Sequence, residues 1–400
     1  MAPEGPLTGL RIVEAASFVA APSAGMALAQ LGADVIRVDP PGGGSDAGRW
    51  PLSRQGASLF WANLNKGKRS VTIDHRREEG RELLAELVVS SGRNGGVFID
   101  NLVGARRLRY EHLVAHRADV IHVHVEGRRN GKPAVDYSIN AEVGVPLMTG
   151  PAETAVPVNH VLPAWDLITG MLTASAVTSA LFRRERTGEG ARVDVALADV
   201  ALAGVAGLGW LAEADEHRHA RTRIGNHMFG SFGVDFATAD GRRIMVVALT
   251  EGQWNALRRV TGTERVFAAL EQTLDADLDR EGDRYRLRET IASILRPWFA
   301  ARDYATLERL LDEAKVLWSP YRDMAEVVAD ARRSDDTIVA EIDQPGIGPM
   351  LAAAAPWRWN QVSPAARPAP VLSSDTDAVL REVLGLTDVE ISRLRASGIV

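Results

Sequence analysis

Four hundred residues exceed what one compact hydrophobic core usually supports, so the chain reads as two domains or one elaborated α/β domain. With 46% hydrophobic residues, 24% charged residues and a net charge of −6, it has the composition of a folded globular protein and lacks the basic footprint of a nucleic-acid binder. The absence of cysteine excludes disulfides, thiolate metal ligands and a cysteine nucleophile.

The opening stretch MAPEGPLTGLRIVEA has no basic segment leading into an apolar one, and so does not look like a secretory leader. Glu14, Asp34 and Arg37 interrupt the best N-terminal candidate for a run of about 18 apolar residues, and a cytoplasmic protein without a membrane span is expected. LRIVEA (10–15), APSAGMALAQLG (21–32) and DVIRVD (34–39) form a strand, a small-residue helix ending at Gly32, and a second strand. SVTID (70–74), REEGRELLAELVVSSG (77–92), GVFIDN (96–101) and ADVIHVHVEG (118–127) repeat the alternation. The fold class expected is α/β, with a Rossmann-like parallel sheet whose ligands lie at the carboxyl ends of its strands.

A helix from about Asp166 to Arg184 precedes the turn RTGEG and the strand ARVDVAL. DFATADGRRIMVVAL then predicts a hairpin turning at Asp240-Gly241, and three helical stretches follow, which make a small α+β domain. The segment 344–370 reads as extended and Pro-rich, and SDTDAVLREVLG as a closing amphipathic helix.

None of the nine histidines stands in HExxH or a comparable ligand spacing; HVH (122–124) alternates within a strand and reads as incidental, and no metal site is expected. PPGGGSD (40–46) follows a strand without the Walker pattern and reads as a turn. NLNKGKRSVTID packs Lys66, Lys68 and Arg69 around Gly67 just before a strand, which suits either a solvated basic turn or a phosphate anchor. Asp166 in NHVLPAWDLITG follows Pro163 and opens a helix. As an N-cap it would satisfy orphan N–H groups; as a nucleophile it would be kept ionised by the helix end and could use the same N–H groups for an oxyanion. Spacing leaves both uses open.

The stretches LTGLRIVEAASFVAAPSAGMALAQLGADVIRVDPPG, LNKGKRSVTID, FIDNL, PAWDLITG, RTGEGARVDVALADV, DFATADGRRIMVVAL, MAEVVAD and DTDAVLREVLGL, in this order, resemble the class III CoA-transferases. That family includes formyl-CoA and carnitine CoA-transferases and α-methylacyl-CoA racemase. GGGSDAGRWPLSRQGASLFWANLNKGKRS, EVGVPLMTGP, VNHVLPAWDLITG and FGSFGVDFATADG are most similar to its intramolecular branch, which shifts CoA from the C1 to the C4 carboxyl of mesaconyl-CoA.

The resemblance implies an interlocked homodimer of a large domain (1–222), a small α+β domain (223–330) and a returning segment (331–400) that rejoins the large one. It implies Asp166 as the nucleophile, an acyl-CoA substrate, no membrane or nucleic-acid partner, and no metal or other resident cofactor. Phe18, Val19, Ala20, Lys66, Lys68, Arg69, Asn101 and Leu102 match CoA-lining positions. Pro40 stands where relatives often carry an arginine, for which Arg37 would compensate. The racemase histidine is replaced by Val135, which removes one of two acid/base groups and argues against racemisation. For the free carboxylate of the substrate, His160 is the first candidate, with Arg49, Asp136 and Tyr137 beside it. The rivals are an intermolecular CoA-transferase and a non-catalytic acyl-CoA-binding homologue.

Overall fold

Short β-branched and apolar strands, each followed by a helix and a tight return, leave a parallel sheet as the natural way to bury every strand on both faces. The computed structural model describes residues 5–90, 92, 94–104 and 108–400; Met1–Glu4 of the stretch read for a leader lie outside them. The elements β1 (Arg11–Ala15), α1 (Ala20–Gln30), β2 (Asp34–Asp39), α2 (Leu59–Leu64), β3 (Arg69–Thr72), α3 (Glu78–Val89), β4 (Val97–Asp100), α4 (Tyr110–His116) and β5 (Ile121–Glu126) come first. They are followed by α5 (Asp136–Glu142), the short α6 (Val145–Met148), α7 (Ala164–Thr187), β6 (Ala191–Ala196), α8 (Leu197–Gly207) and α9 (Trp210–His217).

The six strands lie in the order β3-β2-β1-β4-β5-β6, and every neighbouring pair is parallel. This is the doubly wound arrangement expected, with the order reversing between β1 and β4. One face is covered by α1 and α7 through Ala20, Ala21, Ala24, Leu28, Ala174 and Val177; the other buries Val71, Leu84, Leu87, Phe98 and Leu113. The chain returns to that second face through α16 (Thr376–Leu384) and α17 (Asp388–Ala396), which bury Val379, Leu380, Ile391 and Leu394 there. A single closing helix was expected; Gly385, at φ 68°, ends α16, and Thr387 then caps α17.

The chain divides into two units, one formed by the residues through Val143, Val161–Glu213 and Ser334–Val400, the other by Gly144–His160 and Ala214–Arg333. The second contains an antiparallel sheet of β7 (Phe232–Ala237), β8 (Arg243–Ala248) and β9 (Leu317–Pro320). Its helices are α10 (Glu251–Val260), α11 (Glu264–Leu274), α12 (Glu281–Arg286), α13 (Arg288–Ala300), α14 (Tyr304–Glu313) and α15 (Met324–Arg333), of which α10, α11, α13 and α14 close around Phe232, Trp254, Phe267 and Phe299. The sequence placed only 223–330 here. The structure adds Gly144–His160, because Arg223 donates to the carbonyls of Thr149 at 2.9 Å and Pro146 at 3.3 Å. Within the extended region 344–370, β11 (Gly348–Ala353) pairs antiparallel with β10 (Val339–Gln344) as a hairpin that the sequence did not predict.

By length and composition α7 could cross a bilayer, with a mean hydropathy of 1.2, which corrects the expectation that no such run exists. In this fold it lies beside the sheet, and small residues let it approach α1 closely. A Cβ on Gly170 would sit 2.0 Å from Ser23 Oγ and 2.6 Å from Ala20 O. Gly170→Ala must therefore push α1 and α7 apart, and we expect it to destabilise the protein by about 1–3 kcal/mol, measured by urea unfolding.

Candidate active site

The site is built at the end of β1. Phe18 has φ 72°, a left-handed conformation that costs a bulky residue on the order of 1–3 kcal/mol and persists only when neighbours over-determine it. Three hydrogen bonds do so. Phe18 N–H donates to Asp46 Oδ2 at 3.0 Å, Ser17 N–H donates to Asn101 Oδ1 at 3.2 Å, and Asn101 Nδ2 donates to Ser17 O at 3.0 Å. The β1–α1 corner is thus clamped between the PPGGGSD loop and the end of β4.

Asp46 belongs to a fully buried ion network. Arg37 Nη2 donates to Asp39 Oδ1 at 2.9 Å and to Asp46 Oδ1 at 3.0 Å, and Arg37 Nη1 donates to Asn65 Oδ1 at 3.1 Å. Lys68 Nζ donates to both Glu14 oxygens, at 2.8 and 2.9 Å, and at 2.9 Å to Pro22 O and to Asn65 Oδ1. Burial pushes the Lys68 ammonium down to about 8 and Glu14 above the usual carboxylate range, whereas Asp39 and Asp46 outweigh burial and hold Arg37 firmly charged.

This network meets the reading of the basic turn as a phosphate anchor with a physical obstacle. Lys68 and Arg37 have no exposed surface to offer, Lys66 Nζ donates to Ala353 O at 2.9 Å, and Arg69 pairs with Asp34 and Glu382. None of the four lines the large cavity described next.

That cavity, of about 1140 Å³, opens at the carboxyl ends of β1, β4 and β5. Phe18, Val19, Ala20, Asn101 and Leu102 line it, as do Arg49, Asp136, Tyr137 and Asp166. His160 belongs to the other unit. Its volume and mixed apolar and charged wall suit a large, partly anionic ligand.

Asp166 is the third residue of α7, whose cap position is Pro163, so its carboxylate is not the cap. Asp136, at the start of α5 and almost completely buried, takes that role. Its Oδ2 accepts Trp165 N–H at 2.7 Å and Asp166 N–H at 3.1 Å, while Trp165 Nε1 donates to Asn140 Oδ1 at 3.0 Å. Asp136 is thereby a positioning residue, and the two N–H groups it occupies cannot serve an oxyanion. The Asp166 carboxylate accepts no hydrogen bond from the described residues. Burial pushes it up to about 6, the neighbouring Asp136 adds to the shift, and Arg49 opposes it.

Arg49 lines the same cavity. Its N–H donates to Asp46 O at 3.1 Å and its carbonyl accepts Ser58 Oγ at 2.5 Å, which fixes the backbone. The guanidinium carbon sits 5.5 Å from the Phe18 ring centroid and 5.2 Å from that of Phe60. No carboxylate pairs with it among the described residues.

Sequence reasoning missed a further group in the cavity wall. Alternation puts His122 and His124 on one face of β5, and Asp100 stands beside His124 on β4. His124 Nδ1 lies 2.8 Å from Asp100 Oδ1, and His122 Nε2 bonds to Asp100 Oδ2. The hydrogen bond to Asp100 raises the His124 imidazole. Asp100 is held below the usual carboxylate range because the two histidines outweigh its burial. The three ligand atoms lie within 4.8 Å of one another and are of types that could hold a metal ion. Asp100, however, already has a histidine nitrogen on each oxygen, which is the arrangement of a carboxylate that orients imidazoles.

The sequence model described as CoA-transferase family III matches residues 7–376. The chain is 48% identical over 401 residues to 2-methylfumaryl-CoA isomerase of Chloroflexus aurantiacus, covering 99% of this chain and 98% of that one. It is 30% identical to succinyl-CoA:mesaconate CoA-transferase of Haloarcula marismortui, covering 94% of this chain and 96% of that one. Among solved structures, a CAIB/BAIF family protein from Brucella suis superposes with a TM-score of 0.76 at 26% identity, covering 95% of this chain and all of that one.

Two predictions follow from Asp166. Its pKa near 6 lies above the unfolded value, so ionisation in the folded state lowers stability as pH rises through this range. Asp166→Asn removes that penalty, and thermal unfolding should show the variant more stable by about 1–2 kcal/mol at pH 7.5, with the difference gone near pH 4. Asp136→Asn keeps an acceptor for α7 but deletes the like charge. The titration of Asp166, followed as the pH at which its effect on stability appears, should then move to lower pH.

Proposed function

This chain belongs to CoA-transferase family III, and we propose that, as an enzyme of that family, it moves CoA from the C1 to the C4 carboxyl of mesaconyl-CoA (2-methylfumaryl-CoA). The observation that carries the reading is the Asp166 carboxylate: held at the start of α7 by a cap that another residue supplies, it faces a cavity with its own oxygens uncommitted. The name of the Chloroflexus relative supports the substrate, and its 48% identity spans nearly the whole chain.

The chemistry is exchange at acyl carbon. Asp166 attacks the C1 thioester carbonyl, forming a mixed anhydride and expelling CoA as thiolate. The thiolate attacks the aspartyl carbonyl, which leaves Asp166 as its CoA thioester and releases the C1 carboxylate of mesaconate. The C4 carboxylate attacks that thioester, thiolate departs again, and its return to the C4 carbonyl of the second anhydride yields the C4 ester and free Asp166. Every step exchanges one nucleophile for another at carbonyl carbon, with no net proton or electron transferred and no resident cofactor invoked.

Phe18, Val19, Ala20, Asn101 and Leu102 are proposed to line the CoA chain, and Tyr137 the acyl end. Asn101 would act mainly through the β1–α1 corner, since both ends of its amide are spent on Ser17. A homodimer working in the cytoplasm is part of the same proposal. Ile168, Met171, Leu172 and Phe182 leave a face of α7 exposed in the single chain, which a second copy would cover.

The test is incubation with mesaconyl-C1-CoA and no added acid, with the esters separated by chromatography. The C4 ester should form, and digestion after a short incubation should give a CoA-bearing peptide containing Asp166. Asp166→Asn should lose both, with turnover lower by about three orders of magnitude or more. A requirement for added acceptor acid would replace this reaction with an intermolecular transfer.

A further inference from the structure

An enzyme that moves CoA within one molecule must keep a diacid from leaving during the interval when neither carboxyl is esterified. Mesaconate then carries two negative charges and no CoA handle, so the site needs a cation beside the nucleophile. Besides Arg49, the cavity wall carries Arg109, Lys132, Arg192, His122 and His124. Arg192 pairs with Glu111 and Asp194, and His122 and His124 share Asp100. Arg49 is set apart from Arg109 and Lys132 by its action on Asp166 and by the two rings it rests on, those of Phe18 and Phe60. It has no carboxylate partner among the described residues.

We propose that Arg49 holds the non-reacting carboxylate of the dicarboxylic acyl group, and so makes the transfer intramolecular. This rests on the reading of the reaction given above. Ring faces on the guanidinium leave its N–H edge for a planar anion, and a carboxylate matches that edge with two parallel hydrogen bonds. Because the backbone on either side is fixed by Asp46 and Ser58, little is lost in ordering the side chain when the anion arrives. The group Arg49 holds must be a second carboxylate on the acyl side, since the thioester carbon has to meet Asp166. One cation can serve both halves of the cycle: it holds C4 while C1 reacts and, once the trans diacid has turned end for end, holds C1 while C4 reacts. The substrate class is thus an acyl-CoA with a second, distal carboxylate.

The experiment compares wild type, Arg49→Gln and Arg49→Lys on mesaconyl-C1-CoA in the presence of isotopically labelled free mesaconate. A second measurement follows formation of the Asp166 adduct from an acyl-CoA of similar size that lacks the distal carboxyl, above pH 8 so that Asp166 is ionised throughout. Wild type should form unlabelled C4 ester. Arg49→Gln should lose roughly 10- to 100-fold in kcat/KM and put label into the product, with Arg49→Lys between the two. Adduct formation from the monocarboxylic acyl-CoA should be nearly the same in all three. An unlabelled product at unchanged kcat/KM in Arg49→Gln overturns the assignment and leaves the reaction standing. So does an equal loss on both acyl-CoAs, which would make Arg49 a support for the cavity wall only. No C4 ester from the wild type overturns the reaction, and this assignment with it.

Discussion

The cavity hangs on one buried carboxylate. Asp46 sits beneath the β1–α1 corner, takes two contacts from Arg37 through its side chain, and accepts the Phe18 N–H that keeps a phenylalanine in the left-handed region. Its carbonyl accepts the Arg49 N–H. Phe18 and Arg49, which then stack on one another, are thereby both fixed to a single residue. Buried ion networks contribute little net stability compared with apolar replacements, because desolvation offsets their attraction. What this one supplies is geometry, since Glu14, Asp39, Asp46, Arg37 and Lys68 satisfy one another only in one arrangement of β1, β2 and the loop after them.

A second division of labour lies at α7. Sequence reasoning treated Asp166 as either cap or nucleophile, and these compete for the same oxygens. The structure resolves the competition by giving the cap to Asp136. That leaves an aspartate with little hydrogen bonding, partly buried and beside a like charge, a combination that raises its pKa without abolishing its charge at neutral pH. Such a group destabilises the fold it sits in, which is the expected signature of a residue kept for chemistry.

Much of the fold was legible in the sequence. β2 runs over the residues that DVIRVD marks, and β1, α1, α3 and β4 fall within a few residues of their predicted bounds, because period-two and small-residue patterns sit between clear glycine breaks. β10 and β11 were not legible: VAEIDQ and GPMLAA carry alanine, proline and glycine instead of a strong strand pattern, and their pairing with each other defines them. The site divides the same way. Local spacing singled out Asp166, and the family resemblance added Phe18 and Asn101. Spacing left Lys66, Lys68 and Arg69 open between a solvated turn and a phosphate anchor, since a basic turn looks the same whether water or a distant Glu14 neutralises it. Spacing within HVH carries no sign of its contact with Asp100, which depends on β4 lying beside β5.

The same physical terms bear on what separates an isomerase from a transferase. In the mechanism proposed for Asp166, both reactions would pass through its thioester and a free diacid, so the covalent chemistry would not distinguish them. The distinction is a race between escape of the diacid and its second attack. Each 1.4 kcal/mol of binding held through that interval slows escape about tenfold. A cation that binds carboxylate but leaves Asp166 ionised can supply this without slowing the attack, provided that it is close enough to feel the nucleophile and too constrained to pair with it. Arg49, anchored at its backbone and resting on the rings of Phe18 and Phe60, acts on Asp166 without an ion pair to it among the described residues. Specificity for intramolecular transfer would then reside in the loop that Asp46 holds in place, and the proposed reaction at the start of α7.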